Sequence, residues 1–222
     1  MNLLRINQKI DPIISITNFL SSSEINQIFQ LCEKKEFVDG SVGKDLEEKK
    51  YNFLKDYEII NPNHGKVKRI RQSSIKWLSS DDDSKWLFEK IIKCINYVNV
   101  ENYGYILKFV DDFQVAKYTS ESEGFYSKHT DSGDKYEIEN FLDIRKLSFS
   151  IQLSDSDEYE GGDLKFYNNK KSIYTNEEEY DVARKDKGTI IFFPSHILHE
   201  VTPVTKGTRH SLVSWVLGPN IL

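Results

Sequence analysis

From residue 105 onward the sequence breaks into eight short runs rich in β-branched and aromatic residues: ILKFV, FQVAKY, FYSKH, LSFSIQLS, DLKFY, GTIIFF, LHEVTPV and RHSLVSWVL. Glycine and polar turn residues part them. Runs this short, so closely spaced, close into a sandwich or barrel rather than a βαβ sheet. Gly161-Gly162 fits a turn or bulge ahead of DLKFY. GTIIFF is apolar on both faces, as a fully covered strand should be. The expected fold is therefore mainly β with flanking helices.

The first hundred residues have another texture. Ile10, Ile13, Ile14 and Ile16 alternate loosely ahead of Phe19 and Leu20, giving a short strand and a turn. Ser21 and Glu24 form a capping box. A helix should follow to about Lys35, with Ile25, Ile28, Phe29 and Cys32 on one face. Residues 38–66 are polar and glycine-punctuated, a mobile loop with some helix. In KVKRIRQSSIKWL, Val67, Ile70 and Ile75 alternate among cations, which reads as a strand with a solvated basic face in preference to a nucleic-acid patch. Asp81, Asp82 and Asp83 put negative charge at the start of a second helix. It should run to about Ile95, with Trp86, Leu87, Ile91, Cys94 and Ile95 facing inward. No repeat or linker divides the chain. The expectation is a single domain over 1–222, with 1–104 as mixed helical support and 105–222 as the β core.

Composition narrows the function classes. A net charge of −5 speaks against a chain that lives on nucleic acid. No stretch approaches the roughly 18 apolar residues of a membrane span. The start, MNLLRINQKIDP, lacks the apolar core and cleavage site of a secretory signal. Cys32 and Cys94 sit in helix-like contexts and read as free thiols of a reducing compartment. The expected protein is cytoplasmic, with neither a nucleic-acid nor a membrane partner.

Chemistry concentrates in YTSESEGFYSKHTD, residues 118–131, and above all in its last three residues. In an extended strand successive side chains alternate, so His129 and Asp131 point the same way. An isolated H-x-D pair proves little. Downstream, however, HEVTPVTKGTRHS offers a second imidazole at His199 and then a cation at Arg209. Two histidines and a carboxylate meeting at one point form the facial triad that binds Fe(II) and leaves positions open for a co-substrate and dioxygen. Arg209, Ser211, Val213 and Trp215 share one face of their strand, opposite His210, Leu212 and Ser214. A guanidinium inside a barrel needs a carboxylate, at about 1.5–3 kcal/mol per charged hydrogen bond. Either the chain supplies it, or it is the distal carboxylate of a 2-oxo acid chelating the iron. His196 and His199 also read as H-x-x-H, but Pro194 and the β context argue against a helix, and His196 is a loop residue. His64 and His210 read as surface residues.

The segments YSKHTD, RKLSFSIQLSDSDEYEGGDLKF and GTIIFFPSHILHEVTPVTKGTRHSLVSWVLGP, in that order within residues 114–219, resemble the 2-oxoglutarate- and Fe(II)-dependent dioxygenases of the prolyl 4-hydroxylase group, particularly the bacterial PKHD-type hydroxylases. The resemblance implies a double-stranded β-helix, a cupin-like jelly roll, buttressed by the N-terminal helices. It implies His129, Asp131 and His199 as iron ligands, with no catalytic residue beyond the metal centre. It implies Arg209 on the C5 carboxylate of 2-oxoglutarate, Ser211 as a second contact and Tyr118 as a co-substrate tyrosine. Tyr126 matches a pocket aromatic and reads equally as a core tyrosine. Gln152 reaches the co-substrate only if its face points inward, and Phe149 and Ile151 compete for that direction. Dioxygen is the further substrate, and ascorbate a candidate cofactor. Relatives that halogenate lack the carboxylate of Asp131, so its presence implies hydroxylation. The nucleic-acid demethylating branch carries a second arginine where this chain has Trp215. Residues 132–146 resemble a lid closing over substrate. The implied reaction hydroxylates a peptidyl proline while 2-oxoglutarate is decarboxylated to succinate. The alternatives are hydroxylation of a free amino acid or other small molecule, and a non-catalytic cupin-like module that binds a metal or small molecule.

Overall fold

In the computed structural model, which describes residues 13–33, 35–40, 70–132, 143–171 and 178–220, the alternating runs become strands of two antiparallel sheets. The first hundred residues contribute β1 (Ile14–Ile16), α1 (Ser22–Glu33), β2 (Val38–Asp39), β3 (Arg71–Gln72), β4 (Ser74–Leu78) and α2 (Lys85–Val98). A π-type turn at Asn99–Tyr103 follows. Then come β5 (Phe109–Val110), β6 (Phe113–Thr119), β7 (Phe125–His129), β8 (Asp143–Gln152) and β9 (Tyr159–Gly161). The last five are β10 (Leu164–Lys171), β11 (Glu178–Val182), β12 (Ile190–Pro194), β13 (Leu198–Val201) and β14 (Val204–Pro219). The larger sheet has the order β1-β12-β8-β14-β6-β4-β2, with β5 and β9 also paired to β14. The smaller has the order β11-β10-β13-β7-β3.

Period-two alternation explains why these sheets stack as a jelly roll. Along β8, Leu147, Phe149 and Ile151 join the core shared with α1 and α2, where Ile25, Ile28, Leu87 and Ile91 are buried. Along β12, Ile190 and Phe192 face the helices, while Ile191 and Phe193 face the space between the sheets. There Phe193 meets Phe166 of β10 at 4.8 Å. Each large apolar side chain so buried contributes about 1.5–3 kcal/mol. The inner wall of the larger sheet departs from an ordinary sandwich. Gln114, Ser148, Ser150, Gln152, Arg209 and Ser211 are all buried. Such groups cost stability unless they are bonded, so the larger sheet turns a polar wall towards the chamber between the sheets, where an ordinary sandwich would be apolar.

The helix signals act as their chemistry requires. Ser21 Oγ accepts from the Glu24 amide at 3.3 Å, and Glu24 Oε2 accepts from the Ser21 amide at 2.8 Å. Glu24 also pairs with Lys90 of α2 at 2.5 Å. Of the acidic run, Asp81 closes the turn that leads into α2: its Oδ1 accepts from the amides of Ser84 and Asp83 at 2.9 and 3.1 Å. The helix α2 continues past Ile95 to Val98, burying Phe88 and Val98, while Trp86 and Cys94 are only half-buried. The stop comes at Gly104, whose φ of 65° reverses the chain. Among the described residues no helix is long and apolar enough to cross a membrane.

Two expectations change. The basic run is not one strand: it divides at Ser73, so that Arg71–Gln72 pairs with β7 in the smaller sheet and Ser74–Leu78 with β6 in the larger. The first hundred residues thus supply strands to both sheets as well as covering helices. His210 is not a surface residue. Helix α1 lies over its side of β14, and Phe29 meets its ring edge-on at 5.3 Å. Most of the expected 38–66 loop, with His64, and most of the expected lid lie outside the described residues.

Burial, with Lys117 and Arg209 adding to it, pushes the His210 pKa down from 6.5 to about 4. The unfolded chain therefore takes up this proton first as pH falls. The stability tied to a neutral His210 is fully present above pH 6.5 and is lost towards pH 4. Comparing urea midpoints at neutral pH and about pH 4.5, His210→Gln should lessen the acid loss by on the order of 1–2 kcal/mol. An unchanged pH dependence would contradict the half-buried, neutral imidazole.

Candidate metal centre

His129 and His199 are direct cross-strand partners in β7 and β13, and their ring centroids lie 4.2 Å apart. Just beyond β7, the amides of Asp131 and Ser132 both donate to the Ser195 carbonyl, at 2.8 and 3.0 Å. That tie to the β12–β13 turn sets the Asp131 carboxylate facing both rings. Its Oδ1 lies 3.6 Å from His129 Nε2 and its Oδ2 lies 3.6 Å from His199 Nε2. The three donor atoms fall within 4.8 Å of one another, the one such group of three among the described residues.

Hydrogen bonding fixes which nitrogen is offered. His129 Nδ1 lies 2.8 Å from the Ser127 carbonyl and His199 Nδ1 lies 2.8 Å from the Ile197 carbonyl. A carbonyl only accepts, so each Nδ1 carries a proton and each Nε2 is the nitrogen turned towards Asp131. Aromatic rings hold the imidazoles. Tyr126 stacks on His129 at 3.6 Å, and Phe193 meets His199 edge-on at 4.8 Å. Burial pushes the His199 pKa down to about 4, against the pull of Asp131. Burial alone would raise Asp131, but the two imidazoles and the Ser148 hydroxyl outweigh it and hold the carboxyl well below the usual range. At neutral pH His199 is neutral and Asp131 is ionised, the states in which they coordinate metal. Two imidazole nitrogens and one carboxylate on one side suit Fe(II) with its opposite side open.

Across the inter-sheet space, on the inner wall of the larger sheet, lies Arg209, only 1% exposed. Its Nη1 donates to Ser211 Oγ at 3.2 Å and its Nη2 to Gln152 Oε1 at 3.1 Å, while among the described residues Nε has no partner. Neither partner is a carboxylate, and among the described residues no counter-charge meets the guanidinium. Tyr118, its cross-strand neighbour, places its ring 5.5 Å from the guanidinium carbon. Gly162, at φ +59°, makes room: a Cβ there would meet Arg209 Cδ at 2.9 Å.

The structure thus gathers His129, Asp131 and His199 at one point, and Arg209, Ser211, Gln152 and Tyr118 round another. Phe149 and Ile151 do not displace Gln152, because they face the helices. Tyr126 lies against the metal group rather than Arg209. His196 stands exposed in the turn before β13. One residue was missed: Arg71 packs on Tyr126 at 4.8 Å and donates to Gln114 Oε1 and Ser73 Oγ, each at 2.7 Å. The alternation of KVKRIRQ was its signal, masked by reading that run as one strand.

Residues 113–217 match the model of the 2OG-Fe(II) oxygenase superfamily. A PKHD-type hydroxylase of Prochlorococcus marinus is 32% identical over 175 residues, covering 72% of this chain and 76% of that protein. Another, from a Synechococcus strain, is 25% identical over 207 residues, covering 92% of this chain and 77% of that protein. The fold is similar to that of a prolyl hydroxylase from Trichoplax adhaerens, solved with a hypoxia inducible factor peptide fragment. The TM-score is 0.65 at 21% identity, covering 92% of this chain and 83% of that one.

Replacing His129 or Asp131 by alanine removes one of three donors and should weaken Fe(II) binding, measured by anaerobic titration, more than about 100-fold, beyond the usual effect of losing an outer partner. Parent-like iron binding in either variant would contradict the ligand assignment.

Proposed function

The chain belongs to the PKHD-type hydroxylase group of 2-oxoglutarate- and Fe(II)-dependent oxygenases, and we propose that it hydroxylates a peptidyl proline while 2-oxoglutarate is converted to succinate and carbon dioxide. The observation that carries this reading is a buried, uncompensated guanidinium in the same chamber as a converging His/Asp/His group. His129, Asp131 and His199 hold Fe(II). Arg209, steadied by Ser211 and Gln152, takes the distal carboxylate of 2-oxoglutarate, with Tyr118 beside it. Bound iron, with 2-oxoglutarate and dioxygen, supplies the oxidising chemistry that puts one oxygen atom into a C–H bond. The protein supplies position and a dry site. Tyr126 and Phe193 keep the imidazoles from turning and exclude water from them. Beyond Ser148 the wall becomes aromatic: Trp77 and Trp215 lie 6.4 Å apart, and the Arg145 guanidinium lies 3.7 Å over Trp215. Such a wall suits a pyrrolidine ring, and the peptide held by the Trichoplax relative supports a peptide substrate.

A second reading, hydroxylation of a free amino acid or another small acid, draws on Arg71. Its hydrogen bonds go to the neutral Ser73 and Gln114, which leaves its charge for a substrate carboxylate. In either case residues 1–222 act as one catalytic domain. Ascorbate fits as the reductant that keeps iron ferrous, and the free thiols of Cys32 and Cys94 fit a reducing cytoplasm.

Turnover across proline-containing peptides and free amino acids decides between the substrates. The expected result is succinate release matched by a peptide one oxygen atom heavier; succinate matched only by a modified amino acid selects the second reading. Arg209→Met should retain Fe(II) and weaken 2-oxoglutarate binding at least about 100-fold, the worth of two charged hydrogen bonds. Unchanged co-substrate affinity would make Arg209 structural.

A further inference from the structure

Tyr159 is a polar group of the chamber that neither the metal centre nor the hydrogen bonds of Arg209 use. It opens β9 opposite Gly207 of β14, two residues along from Arg209. Its side chain is buried, at 4% exposure, and among the described residues its hydroxyl has no hydrogen-bond partner. The ring is held in place. Lys185 Nζ sits 5.0 Å over it while donating to the Gly161 carbonyl at 2.8 Å. Tyr118, Phe166 and Val204 belong to the same inter-sheet core. Gly162 locates the hydroxyl end. A Cβ at that position would meet Arg209 Cδ at 2.9 Å and Tyr159 Cε2, the ring carbon next to the one bearing oxygen, at 3.3 Å. The hydroxyl end of Tyr159 and the stem of Arg209 therefore flank one point.

Arg209, whose stem meets the same point, carries an orphaned atom as well. Among the described residues four buried side-chain polar atoms lack a hydrogen-bond partner. One, Asp143 Oδ1, is answered by the Lys108 ammonium at 2.6 Å. The remaining three are Arg209 Nε, Tyr159 OH and Thr189 Oγ1. Thr189 precedes β12, and its carbonyl accepts from the backbone amide of Gln152 at 3.0 Å. Phenylalanine at 159 would fill the same space without burying an unbonded hydroxyl, which costs stability. A fixed phenol donor beside an uncompensated guanidinium fits the oxygens of a carboxylate.

We propose that Tyr159 binds the co-substrate in this chain, its hydroxyl donating to the distal carboxylate of 2-oxoglutarate from β9 while Arg209 donates from β14. This rests on the reading that Arg209 takes that carboxylate. The guanidinium, tethered at both Nη atoms, keeps Nε and the remaining Nη hydrogens for the anion. Tyr159 adds a donor from a second strand and so fixes where the carboxylate sits as well as how tightly it binds.

The test is calorimetric titration of Mn(II)-loaded parent and Tyr159→Phe protein with 2-oxoglutarate, and with 2-oxopentanoate, which has the same 2-oxo acid end but no distal carboxylate. The variant should bind 2-oxoglutarate at least about 10-fold more weakly and 2-oxopentanoate as the parent does. Without ligand it should melt at or above the parent's temperature, because the hydroxyl it loses was unbonded. Unchanged 2-oxoglutarate affinity, an equal loss for both acids, or a markedly lower melting temperature would each overturn the proposal. A Mn(II)-loaded parent that does not bind 2-oxoglutarate would overturn the reading of Arg209 itself, and this assignment with it.

Discussion

His129 and His199 face each other across the antiparallel pair β7–β13, and the remainder of the centre depends on that register. Side chains alternate with period two, so a slip of one residue in either strand would turn one imidazole to the outer face. Several contacts resist the slip. On its other edge β13 sets His199 opposite Phe166 of β10. The Ser195 carbonyl draws in the amides of Asp131 and Ser132. Each imidazole is oriented by the carbonyl two residues before it. These constraints are made by backbone and neighbouring rings, so the donor set is formed by the fold itself. Pre-formed ligands of this kind suit a metal whose open positions do the chemistry.

The larger sheet divides its work between its faces. The outer face buries the apolar side chains of β8, β12 and the two helices, which supply most of the driving force for folding. The inner face gives up part of that stability. It carries serines, glutamines and a guanidinium whose partners are neutral. Burying a cation without a counter-charge costs several kcal/mol, and a structural arginine would stand beside Asp or Glu. Local rules broken together in one place are what a functional site is expected to show. Gly162 belongs to the same pattern, because a side chain there would press on the Arg209 stem.

Much of this was legible in the sequence, for reasons particular to each element. The strand runs are separated by clear turn residues, and the capping box at Ser21 is a local motif with local geometry. His129, Asp131, His199 and Arg209 were nameable because alternation and motif order act over a few residues. What failed depends on contacts between distant segments. Nothing near His210 in sequence says that Phe29 of α1 will lie against it. Alternation placed Gln152 and Ile151 on opposite faces but could not say which was inner, because both are buried. Arg71 needed the division at Ser73 that sends neighbouring residues to different sheets. Tyr159 sits on a three-residue strand with no period to read, and only the three-dimensional neighbourhood of Gly162 shows its relation to Arg209.

The most direct measurement is an anaerobic crystal structure of the protein soaked with Fe(II) and 2-oxoglutarate. The account predicts one iron per chain, bound by His129 Nε2, His199 Nε2 and the Asp131 carboxylate, with the distal carboxylate of 2-oxoglutarate on Arg209. Iron held by other side chains, or a co-substrate whose distal carboxylate lies away from Arg209, would contradict it.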